Sequence, residues 1–136
     1  MFEKYRFPQV GTLAKPSPLG DAYVQQGQYQ EAATTLQPTI SILQEIGDRQ
    51  IEQAVYINLG KAYAGLKQFT EAIQFFNYRL EITRDLGDRL EEILALSSLS
   101  VLYFEAKEFE RTIENSRQVL YQIDMKPHRI RKAKPL

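Results

Sequence analysis

The sequence predicts an all-α fold, an α-solenoid built from three helix hairpins, and three observations carry that prediction. The 136-residue chain matches itself at a shift of 40 residues. Leu19, Leu59 and Leu99 align, as do Tyr23, Tyr63 and Tyr103, the aromatics Tyr29, Phe69 and Phe109, and the small residues Ala32, Ala72 and Thr112. Four positions held in register over three copies mark a repeat stack, in which each unit buries its apolar face on its neighbours. Within a unit the apolar residues recur at steps of three and four, the helical period, with no alternation of the strand type. The tripeptide Gly-Asp-Arg also occurs twice at the same shift, at Gly47–Asp48–Arg49 and Gly87–Asp88–Arg89.

Six helices follow in order, at 18–26, 30–45, 49–66, 70–86, 89–106 and 110–124. The first starts at Ser17 or Pro18, because proline is tolerated in a first turn and not deeper. Gly27 marks the turn after it, and Gly65 is read as the same turn in the second unit. The third helix turns Tyr56, Leu59, Tyr63 and Leu66 inward; the fourth turns Ala72, Ile73, Phe76, Leu80 and Leu86 inward. Ala32, Ala72 and Thr112 stand where paired helices cross most closely, since a large side chain there would hold the backbones apart.

Gly-Asp-Arg joins one hairpin to the next. Glycine can take the left-handed conformation that closes the last carbonyls of a helix. The aspartate after it can accept from the first free amides of the following helix. Glu91, three residues after Asp88, gives the second copy the form of a capping box. Capping accounts for both aspartates without a catalytic or ligand role.

The ends differ from the body. Residues 1–17 form an extended leader with aromatics Phe2, Tyr5 and Phe7 beside prolines. These aromatics are expected to bury against a groove or helix face, in the same chain or a neighbour's. The repeat domain spans 18–125, and 126–136 is a basic, mobile tail. In the last helix Asn115, Ser116 and Gln118 replace Phe75, Phe76 and Tyr78, the polar exchange a terminal cap needs. Shifting Gly87–Asp88–Arg89 by one repeat gives Pro127–His128–Arg129, with Leu90 mapping onto Ile130, which is too little apolar area to hold the tail.

Composition excludes several classes. The chain is 43% hydrophobic and 25% charged, ordinary for a globular domain. No apolar run reaches membrane-spanning length, and the N-terminus lacks the apolar core of a secretion signal. Without cysteine there is no disulfide framework and no thiolate chemistry, consistent with a cytoplasmic protein. The formal net charge of zero conceals an acidic body, with nine bases against sixteen acids over 18–125, and a basic tail. No Lys/Arg stripe of the kind that binds nucleic acid is present.

Catalytic and metal constellations are missing as well. His128 is the one histidine and lies in the basic tail with no nucleophile pattern beside it. There is no phosphate loop and no His-Glu-x-x-His. Glu91–Glu92 is the first turn of a helix, where negative charge is favoured. Phe75, Phe76 and Tyr78 read as core. No enzyme, metal or cofactor is expected.

Leu59, Gly60, Tyr63, Phe69 and Ala72 together resemble the tetratricopeptide repeat, which is usually about 34 residues long. The longer period with Gly-Asp-Arg at the junction looks like the subclass found in cell-polarity adaptors that bind G-protein regulators and in many bacterial regulatory proteins. The resemblance runs from about residue 18 to 125; Ser100 and Thr112 depart from the usual glycine and alanine. It implies a right-handed superhelix whose first helices line a concave groove that binds a peptide or helix. Carried over by position, that groove shows Asp21, Val24 and Gln25 in the first unit. The second shows Ala54, Ile57, Asn58, Lys61 and Ala64, and the third shows Leu94, Ser97, Ser98, Val101 and Phe104. Asn58 occupies the place where the family sets an amide that grips the ligand backbone. Only Lys61 is cationic, so a lysine-rich carboxylate clamp is ruled out. Val24, Ile57, Leu94, Val101 and Phe104 make a largely apolar floor suited to an amphipathic helix.

Two readings stay open. In one the chain is an adaptor or scaffold for another protein; in the other it is a structural or self-assembling repeat segment of a larger regulator, such as a homodimer, with no separate ligand.

Overall fold

A computed structural model describes the backbone of residues 18–132 and the side chains of 20–124. The described residues form seven helices and no strand: α1 Pro18–Gln25, α2 Tyr29–Leu36, α3 Thr39–Ile46, α4 Arg49–Gly65, α5 Phe69–Leu86, α6 Arg89–Glu105 and α7 Phe109–Lys132. The chain separates into two compact units, Met1–Phe75 and Phe76–Leu136.

The expected six helices become seven because 30–45 is broken. Pro38 has no amide to donate, and its ring collides with the carbonyl of residue 34 in a continuous helix. α2 therefore ends at Leu36, whose carbonyl accepts from the Thr39 hydroxyl at 2.7 Å, and α3 restarts beyond the proline. Pro16 and Pro18 drew attention in the sequence, whereas Pro38 is the proline that alters the count. At the other end α7 continues to Lys132, past the expected stop at 124. The leader 1–17 and residues 133–136 lie outside the described residues.

The turn inside each hairpin is the same structure three times. Gly27, Lys67 and Lys107 have φ of 79°, 65° and 66°. The next amides, of Gln28, Gln68 and Glu108, donate to the carbonyls of Tyr23, Tyr63 and Tyr103 at 2.8, 2.9 and 2.8 Å. This six-to-one bond around a left-handed residue is a Schellman closure. The partner of Gly27 is thus Lys67. Gly65, read from sequence as the turn, is the last residue of α4, where a Cβ would run into the Tyr29 ring.

The Gly-Asp-Arg junctions act as expected. Gly47 and Gly87 are left-handed, with φ of 82° and 73°. Asp48 Oδ1 accepts from the Ile51 amide and Asp88 Oδ1 from the Glu91 amide, each at 3.1 Å. The reciprocal half of the capping box at Asp88 gives way to two other contacts. The Asp88 amide donates to the Thr83 carbonyl, and the Glu91 carboxylate turns to Arg79.

The unit Met1–Phe75 is centred on Ala32, Leu36, Val55, Leu59, Ala62 and Ala72, all buried. Phe75 closes it, its ring 5.6 Å from Tyr63 and 5.9 Å from Tyr56. Polar atoms in this core are satisfied locally. The Tyr56 hydroxyl donates to buried Glu52 at 2.9 Å and accepts from Gln44 at 3.2 Å.

The unit Phe76–Leu136 buries Phe76, Leu80, Ile82, Ala95, Leu96, Leu99 and Leu102. Its helix contacts carry more charge. Arg84 donates to Glu92 at 3.0 Å and to Gln118 at 3.2 Å, and Gln122 donates to Glu92 at 3.2 Å. Tyr78 and Leu86, read as core, stand partly in water. The polar cap of the last helix is incomplete, because Ile113, Leu120 and Ile123 remain exposed on α7.

Candidate functional site

The candidate residues fall on α1, α4 and α6, the first helix of each hairpin. In the N-terminal unit Val24 and Ile57 are half-buried, Lys61 is exposed, and Ala54 and Ala64 are half-buried. Asn58 is only 6% exposed, so its amide belongs to the packed side of α4 more than to its open surface. A helix turns 100° per residue, which sets Lys61 beside Ile57 and Ala54. This surface therefore offers one flexible cation over a shallow apolar strip.

The C-terminal unit presents something different. On α6 Leu90, Leu94, Val101 and Phe104 are 66%, 47%, 57% and 59% exposed. They fall within about 80° of the helix circumference, with Ser97 between them and Ser98 at the edge. The opposite side, through Ala95, Leu96, Leu99, Leu102 and Tyr103, is buried. Phe104 continues the strip onto α7 by an edge-on contact with Phe109 at 5.6 Å. Leu94, Val101 and Phe104, which the sequence assigns to the groove, are all exposed. Leu90 was missed, although it stands four residues before Leu94 and so shares its face.

Single exposed apolar side chains are common on protein surfaces, whereas these four align into one apolar strip along the helix. With no charge among them, they suit the apolar side of an amphipathic helix or peptide. Among the described residues no group of three or more His, Asp or Glu side chains could hold a metal ion. No described helix is long and apolar enough to cross a membrane.

A model of the tetratricopeptide repeat matches residues 12–85, more than half of the chain, starting inside the segment read as a leader. Among solved structures, the crystal structure of the TPR domain of Arabidopsis FLU superposes with a TM-score of 0.70. The match covers 78% of this chain and 89% of that one at 17% identity, a likeness of fold. No curated protein matches the sequence. The forty-residue register, the three equivalent hairpin turns and these matches agree: the chain belongs to the tetratricopeptide-repeat family.

Proposed function

We propose that this protein is a non-enzymatic interaction module that binds the apolar side of a peptide or amphipathic helix. The observation that carries the reading is the α6 strip of Leu90, Leu94, Val101 and Phe104, each about half exposed or more. A surface of this kind gains by removing apolar area from water, at roughly 25 cal/mol per Å² before the cost of association. Within the N-terminal unit, Ile57 and Lys61 on α4 form a separate surface, whose cation favours a ligand with acidic residues beside its apolar ones. The module acts as an adaptor or scaffold, and the cytoplasm is the compartment its lack of cysteine suits.

Selection from a displayed library of helical peptides, followed by calorimetry, tests this. The reading expects selected peptides to lose about tenfold or more in affinity on Val101→Asp or Phe104→Asp. Both positions are open, so far-ultraviolet circular dichroism should be unchanged. Peptides indifferent to both substitutions would move the site elsewhere, and failure to select any would sink the adaptor reading.

A further inference from the structure

α1 and α4 are equivalent first helices, and the described residues cover them unequally. α4 runs from Arg49 to Gly65, whereas α1 is described over Pro18–Gln25. At the shift of 40 residues, the opening of α4, 49–57, corresponds to 9–17, outside the described residues. In α4 that stretch is packed: Glu52, Gln53, Val55 and Tyr56 are all buried. The second helices differ in step with this. Ile82 on α5 is 3% exposed, whereas its counterpart Ile42 on α3 is 56% exposed, and Ile46 is 68% exposed. No residue of α3 is buried.

The chain enters α1 beside this open face. The Schellman turn at Gly27 reverses α1 into α2, so Pro18 and Leu36 stand at the same end of the hairpin. Gly20 fixes the contact, since a Cβ there would lie 2.6 Å from Leu36 Cδ1. α3 restarts at Thr39, which puts Ile42 and Ile46 within about 15 Å of Leu36 by helical rise. Seventeen residues can span up to about 55 Å, several times that distance. The family match begins at residue 12, so part of the leader belongs to the first repeat by sequence. Composition agrees with contact. Residues 1–17 carry Phe2, Tyr5, Phe7, Val10 and Leu13, with three bases against one acid. Residues 18–75 carry six acids against three bases, and Glu45, between the two isoleucines, is exposed.

We propose that residues 1–17 of the same chain cover the face of Ile42 and Ile46 and close the first hairpin along α3. Pro16 and Pro18 bar the leader from repeating the regular opening of α4, because a proline ring inside a helix collides with the carbonyl four residues earlier. The leader's aromatics therefore supply the apolar area that Val55 and Tyr56 supply in α4. Covering the isoleucines and these aromatics together removes both from water. The tether lowers the cost, since a segment on the same chain is present at an effective concentration of about millimolar. Opposite charge on the leader and on the unit it joins favours the approach. The contact uses no residue of the α6 strip, so this inference and the proposed function stand or fall separately.

Disulfide trapping in the full chain tests the proposal, and the absence of native cysteine keeps the readout clean. Gln9→Cys with Glu45→Cys leaves the aromatics and both isoleucines in place. In a glutathione redox buffer at about 1 µM protein, this pair should close an intramolecular disulfide, which needs Cα atoms within about 7 Å. Gln9→Cys with Gln30→Cys, at the far end of the second helix, should close about tenfold or more slowly. Adding Ile42→Glu to the first pair should slow its closure about tenfold, and so should Phe7→Ala. Helix content and melting temperature, measured on each reduced variant, guard against loss of fold. Equal closure rates for the two pairs, or a first pair indifferent to Ile42→Glu, overturn the proposal. Covalent dimers in place of cross-linked monomers would put a second copy on this face and overturn it as well.

Discussion

Glu91 accepts a 2.7 Å hydrogen bond from the guanidinium of Arg79, whose side chain is 6% exposed. The pair links α5 to the first turn of α6 and explains why the capping box does not close at Asp88. A charged donor removed from water needs its counter-charge more than a helix start needs a second cap. Because Glu91 is itself 37% exposed, the pair is only half removed from water.

Glu91→Gln should therefore destabilise by ~1–3 kcal/mol, less than a fully buried pair would lose, by stranding the Arg79 charge. Arg79→Met, which removes the charge and keeps much of the volume, should cost less than Glu91→Gln. Urea denaturation of the two variants gives the order, and the reverse order would mean that packing outweighs charge here.

Lys67 and Lys107 sit where the first hairpin has Gly27, in a left-handed conformation that strains a residue with a Cβ. Lys107→Gly and Lys67→Gly should each stabilise by ~0.5–1 kcal/mol, the relief of strain outweighing the added freedom of the unfolded chain. The melting temperature should rise in both; a fall in either would show that the lysine stem contributes more than the backbone strain costs.

Ala72 is fully buried, whereas Ala64 is half-exposed. Ala72→Leu should cost ~1–3 kcal/mol by overpacking, and Ala64→Leu little. Equal losses in chemical denaturation would contradict this facing of the helices.

Asp48 caps α4 through a 3.1 Å bond to the Ile51 amide. Asp48→Ala should cost ~1 kcal/mol, and Asp48→Asn, which keeps the acceptor, much less. If both lose the same amount, the charge at the helix start matters more than the hydrogen bond.

The amino-acid sequence by itself determined the repeat, the helical class, the caps and most of the buried positions. Each rests on chemistry within one unit: leucines at helical spacing, alanines at the crossings, and a glycine and an aspartate where one helix stops and the next begins. The α6 strip was legible for the same reason, since Leu94, Val101 and Phe104 take their face from their spacing. The tertiary structure decided what depends on competition between partners. Glu91 had a backbone amide and a buried guanidinium to choose from, and only the packing of α5 near α6 brings Arg79 within reach. The hairpin turn falls at Lys67 because the Schellman bond from Gln68 to Tyr63 outweighs the strain of a lysine at positive φ, while Gly65 yields its space to the Tyr29 ring. Whether Leu120 is core or surface was undecided by its own identity. It matches buried Leu80 in the repeat, and burial follows from what packs against a side chain, a property of the neighbouring element and not of the leucine.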